Sequence, residues 1–187
     1  TRHTYPRDER TATSLKAANI NASYLGNPMM DQLQPTGVSF QIPDTHARIG
    51  LLPGSREEAY PNFEHLLRVM AALRSTTPEL TGLVAISPQI DQKKFEDSLI
   101  KKEYTKIIAN DPETKTANNR YFQKDSHQII LSPHFTDVLH QAQVVCGLSG
   151  TANEQAIQCG KTVICFEGHG PQSTAQRFQE QTKLLGN

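Results

Sequence analysis

The chain of 187 residues carries 19 Lys plus Arg against 19 Asp plus Glu, so nothing in its overall charge favours a nucleic acid or an anionic membrane as partner. Its length suits one principal core rather than two full domains, no apolar run reaches the length that spans a bilayer, and a soluble protein is expected. Cys146, Cys159 and Cys165 are odd in number, lie in apolar or helical contexts and lack CxxC spacing, so they are expected as reduced, buried thiols in a cytosolic setting, with neither metal nor other cofactor.

Residues 1 to about 47 begin "TRHTYPRDERTAT", polar and irregular, and continue into "ASYLGNPMMDQL", where Gly26, Asn27 and Pro28 make a turn. They are expected as a lead-in segment, with the domain proper over 48–187. "RIGLLPG" is a candidate strand. In "NFEHLLRVMAALR" the positions Phe63, Leu66, Leu67, Met70 and Leu73 form one apolar helix face. "LVAIS" gives the next strand and "DQKKFEDSLIKK" the next helix, with Asp91 as N-cap. "TKIIANDPETKTANNRYFQKDS" holds one short apolar run and then a polar loop, expected to be mobile. "HQIILS", "VVCGL" and "TVICFEG" read as three further buried strands, separated by helices that begin near Phe135 and Thr151. Strands of continuous apolar residues alternating with helices predict a doubly wound, Rossmann-like α/β fold, a parallel sheet covered on both faces. Ligands of such sheets bind beyond the carboxyl ends of the strands, where strand order reverses.

Two strand-terminal loops are suited to an anion. In "LLPGSREEAYPNF", Gly54 allows close approach of backbone, Ser55 offers a hydroxyl and Arg56 a planar fork of donors. An ordinary turn, with Ser55 and Glu58 as a capping box and Arg56 solvated, accounts for the same residues. In "GLSGTANEQAIQCG" a strand runs through Ser149, Gly150 and Thr151 into a helix whose first amides lack internal partners and carry the positive dipole end. There the alternative is that Ser149 or Thr151 caps the helix. Together the two loops suit the two phosphates of a nucleoside diphosphate, while neither matches GxxxxGK[ST] nor GxGxxG. In a third loop, "LSPHFTDVL", His134 or Phe135 could pack against a base or serve core and capping roles.

"YLGNPMMDQL", "IGLLPGSREE" and "GLSGTANEQAIQCGKTVI", in that order, resemble the carboxyl-terminal half of lipid-A-disaccharide synthase and its related branch of bacterial proteins, a GT-B glycosyltransferase family. The resemblance runs from about Tyr24 onward. It implies that this half binds the UDP part of a UDP-sugar, which is a substrate and not a cofactor, and that the acceptor-binding amino-terminal domain lies outside this chain. It implies roles near the donor diphosphate for Gly54, Ser55, Arg56, Ser149, Gly150 and Thr151. "GHGPQSTAQ", with Gln172 and Gln176, is similar to the glutamine-bearing loop near the donor sugar in the related peptidoglycan N-acetylglucosaminyltransferase. The family's ribose-binding glutamate, six residues after the serine, is Gln155 here, an uncharged and weaker acceptor. Glu154 would point about 100° away on a helix.

For the longer protein the resemblance implies transfer of a hexosyl group from UDP to an acceptor hydroxyl in lipid A biosynthesis, in the cytoplasm with peripheral contact at the inner membrane. The general base would come from the absent half, and this piece alone would be inactive. His127 and His169, near strand ends, are the histidines that could take that role, but they read as solvated loop residues. A UDP-sugar 2-epimerase of the same architecture, and a nucleotide-sugar-binding protein without catalysis, stay open as alternatives. Gln155 favours the second of these.

Overall fold

A computed structural model describes residues 2–108, 118–171 and 173–185, with side chains as far as Lys183. The five parallel strands are β1 (Ala47–Leu52), β2 (Leu80–Ala85), β5 (His127–Ser132), β6 (Val144–Gly147) and β7 (Thr162–Ile164). Strands β3 (Thr105–Ile107) and β4 (Arg120–Lys124) extend the sheet antiparallel beyond β5. The order is β3-β4-β5-β2-β1-β6-β7, so the parallel part is the doubly wound arrangement expected from the alternating pattern.

Consecutive strand residues point to opposite faces, so the unbroken apolar runs fill two layers at once. On one face Leu51, Val84, Ile129 and Leu131 pack against Phe63, Leu66 and Met70 of α2 (Ala59–Ala72) and Phe95 and Leu99 of α3 (Gln92–Lys101). On the other, Leu52 and Val145 meet Leu139 of α4 (Phe135–Gln141) and Ala156 of α5 (Gly150–Gln158), while Leu83 and Ile130 meet Val138. Each fully buried Leu, Ile or Phe contributes about 1.5–3 kcal/mol, which makes this double layer the main source of stability. Asp91 caps α3 as expected, its carboxylate accepting from Lys93 N at 2.9 Å.

Two elements depart from the sequence expectation. β7 is an exposed edge strand rather than a buried one, with Ile164 49% exposed, because among the described residues nothing pairs with its outer side. "RYFQK" forms β4, which turns into β5 through Asp125 and Ser126, with Asp125 at φ +55°. The loop expected to be mobile falls mainly on residues 109–117, outside the described residues, and its carboxyl-terminal part is this strand.

The polar opening also holds structure: α1 (Glu9–Ala17) starts at Asp8, whose carboxylate accepts from Thr11 N at 2.7 Å. Only Ala12 of α1 is buried, so no apolar stripe announced it. Farther along, the segment is tied to α4 by Asp137, a buried carboxylate that accepts from the amides of Thr36, Gly37 and Val38 at 3.0–3.1 Å and from the Thr36 hydroxyl at 2.8 Å. Phe40, fully buried, follows it into the core.

Burial alone would raise the pKa of Asp137, but the Thr36 hydroxyl and the three amides together hold it below the usual carboxylate range. A depressed folded pKa stabilises the protein above the unfolded value of about 3.9, and that contribution is lost as pH falls through the folded value. Asp137→Asn should therefore cost about 2–3 kcal/mol at neutral pH, since one amide would face the new NH2 group. Urea unfolding of the two proteins at pH 7 and at pH 3 checks this, with the difference shrinking at the lower pH.

Candidate functional site

The chain leaves β1 toward β2 on one side, whereas β6 lies on the other, so strand order reverses between β1 and β6. The loops that follow these two strands diverge there and open a cavity of about 530 Å³. Volumes of this size suit ligands of nucleotide dimensions. Gly54, Ser55, Arg56, Phe135, Ser149, Gly150, Thr151 and Gln155 all line it, brought together from the loops or helices after β1, β5 and β6. Gln176 does not line it, and its side chain turns to Glu180 Oε1 at 3.4 Å. Gln172 lies outside the described residues.

Gly54 sits at φ +115°, a conformation open in practice to glycine, and this turns Ser55 and Arg56 outward at the cavity rim. No capping box forms, because Glu58 occupies the N-cap of α2 in helical conformation and its side chain makes no cap bond. Among the described residues the exposed Arg56 guanidinium has neither hydrogen bond nor ion pair.

Ser149 holds the N-cap of α5 with extended backbone, yet no side chain caps this helix either. Among the described residues the buried Ser149 hydroxyl has no hydrogen-bond partner, and the first amides of α5 lack intrahelical acceptors. Polar atoms buried without partners cost about 1–3 kcal/mol each, so this hydroxyl is suited to donating to an acceptor at the helix start. The helix dipole gives that acceptor site a preference for negative charge.

Several residues that hold the site were missed at the sequence level. Asn62, buried on α2, donates through Nδ2 to the Pro53 and His169 carbonyls, both at 3.1 Å, and accepts from His169 N at 2.7 Å. It thus joins the loop after β1 to the loop after β7. Ser173 donates its hydroxyl to the Leu148 carbonyl, fixing the second loop to the end of β6. Asn153, buried on α5, donates to the Gly147 carbonyl at 3.2 Å and leaves no space for a side chain at 147. An Asn amid apolar helix positions was the available signal for Asn62 and Asn153, and Ser173 in its loop gave none; which loop each would reach depends on tertiary packing.

Gln155 donates Nε2 to the Met29 carbonyl at 2.8 Å, which leaves Oε1 as its acceptor. Glu154 turns away, as its helical position predicted, and is buried near Arg7 Nη1 at 3.7 Å and Gln181. His134 does not line the cavity, and its amide bonds the Ser132 hydroxyl. His127 is not a solvated loop residue: it begins β5 at the far end of the sheet, buried, with Nε2 against the Thr77 carbonyl at 3.0 Å. Burial lowers its pKa against the opposing effect of that carbonyl. His169 is exposed at the cavity.

The three cysteines are free, but only Cys146 is buried, and Cys165 is exposed where β7 ends at the sheet edge. Burial of the sulfur atoms raises all three thiol pKa values, which leaves them poor nucleophiles. Among the described residues no group of three or more His, Cys, Asp or Glu is placed to hold a metal ion, and no helix is long and apolar enough to cross a membrane.

These features define an α/β domain with a switch-point crevice whose charged rim carries Arg56 and Arg177 against Glu58. No protein-family model and no curated protein matches the chain.

Proposed function

We propose that this domain binds the nucleoside diphosphate part of a UDP-sugar and that, within a longer glycosyltransferase, it stabilises the diphosphate leaving group during hexosyl transfer to an acceptor hydroxyl. The observation that carries the reading is the convergence of Gly54–Arg56 and Ser149–Thr151 on one cavity at the switch point. Both loops follow parallel strands, and among the described residues the Arg56 guanidinium and the Ser149 hydroxyl have no hydrogen-bond partner. The sequence resemblance to the carboxyl-terminal half of lipid-A-disaccharide synthase supports the choice of UDP.

On this reading the α5 amides and the Arg56 guanidinium receive the charge that builds on the β-phosphate oxygen as the glycosidic bond breaks. Donors fixed beforehand need no reorganisation at that moment, which is how such groups lower a barrier. Phe135 supplies an apolar surface on the β5 side for the base, and Gln155 Oε1 an acceptor for a sugar hydroxyl. The acceptor and its base come from a further domain, with the reaction on the cytoplasmic side of the inner membrane. A nucleotide-sugar binder without catalysis is the second reading. It is favoured by Gln155, whose amide is engaged by Met29 and which carries no charge.

Calorimetric titration with UDP and with ADP separates these from an empty crevice. UDP should bind at least several-fold more tightly than ADP. Equal affinity for the two would remove the uridine assignment, and no heat at millimolar concentrations of either would overturn the nucleotide reading. Sugar transfer by a longer chain that contains this domain would then decide between catalysis and binding.

A further inference from the structure

Helix α6 (Ala175–Leu185) supplies the cavity with a second guanidinium, Arg177. Gln181, one turn farther along, is buried and donates Nε2 to the Gly150 carbonyl at 3.0 Å, which fixes α6 against the start of α5. Residues four apart share a helix face, so Arg177 lies on the face of α6 that packs against the start of α5, and it lines the same cavity as Ser149, Gly150 and Thr151. The start of α6 is itself secured, with Arg177 N donating to Thr174 Oγ1 at 3.2 Å. Arg177 Nη1 contacts Glu180 Oε2 at 3.0 Å, and the Glu180 side chain is 47% exposed. An ion pair this open to water is weak and readily exchanged.

We propose that Arg177 makes the site selective for diphosphates over monophosphates: it leaves Glu180 and binds the phosphate farther from the nucleoside, while the α5 amides and Arg56 hold the other. This rests on the nucleotide-binding reading above. A monophosphate occupies the amides and one guanidinium and leaves the Arg177–Glu180 pair intact. A diphosphate reaches both guanidiniums, and a planar fork of donors suits a phosphate better than a solvated carboxylate.

Titration of the whole chain with UDP, UMP and inorganic pyrophosphate, on the wild type, Arg177→Met and Glu180→Gln, tests this. Arg177→Met should weaken UDP and pyrophosphate by about tenfold and UMP by less than about twofold, the low end for a charged hydrogen bond at a partly open site. Glu180→Gln removes the competing carboxylate and should tighten UDP a few-fold. A merely structural role for the pair would not give opposite signs. Equal loss for UDP and UMP in Arg177→Met, unchanged UDP binding in that variant, or weaker UDP binding in Glu180→Gln would each overturn the proposal. If pyrophosphate follows the expected pattern but UDP binds no better than pyrophosphate, selectivity by Arg177 stands and the nucleoside assignment falls. Absence of binding by all three ligands to the folded wild type overturns both.

Discussion

Thr151→Pro should weaken UDP binding by about tenfold to a hundredfold while leaving the fold intact, the loss expected when one charge-assisted hydrogen bond is removed. Thr151 is exposed in the first turn of α5, where its amide has no acceptor inside the helix. Proline is tolerated in a first turn for that reason, and the preceding Gly150 has no Cβ to clash with the ring. The substitution therefore deletes a ligand donor and little else. Arg56→Met, at an exposed side chain without a partner among the described residues, should give a loss of similar size. Calorimetry reads the affinities and thermal unfolding the fold, with melting temperatures expected within about 3 °C of the wild type, as for surface changes near ±0.5 kcal/mol. Unchanged UDP affinity in both variants would mean that these loops are ordinary turns.

Asn62→Ala should be the most damaging single change to the site's framework, at about 3 kcal/mol of stability, or about 6–12 °C in melting temperature for a domain of this size. Truncation leaves the Pro53 carbonyl, the His169 carbonyl and the His169 amide without the partner that joins them. The site is part-buried, so water replaces that partner incompletely. Because these bonds hold the β1 loop to the β7 loop, UDP affinity should fall as well. A melting temperature within 2 °C of the wild type would show that the two loops are held by other contacts.

The strand-helix alternation was legible because a parallel sheet buried on both faces writes itself as unbroken apolar runs, as in "GLLP" and "QIILS". What escaped were elements without such a run. α1 buries only Ala12 and is set by its Asp8 cap, and β4 shows two aromatic residues inside a polar stretch. β7 reads as buried by composition, yet burial is a property of its place at the edge, which local sequence does not encode.

In the site, the two loops after β1 and β6 could be picked out because each carries glycine and small residues directly after a strand, while the choice between a ligand loop and an ordinary turn or cap needed the fold. The bonds made by Asn62, Ser173 and Gln181 could not, since each spans 25 or more residues in at least one of its contacts. The role of Gln155 also becomes intelligible only in the fold. A residue at 155 faces the Met29 carbonyl, which requires a donor that glutamine has and an ionised glutamate lacks.

The most direct test of the proposed anion-binding role of the crevice is amide chemical-shift mapping by NMR as UDP is added to the whole chain. The largest saturable changes should fall on Gly54, Arg56, Gly150, Thr151 and Ala152, with residues of the far edge strands β3 and β4 unmoved. Changes centred on those edge strands, or no saturable change at millimolar UDP in a folded protein, would contradict the assignment of this crevice as a nucleotide site.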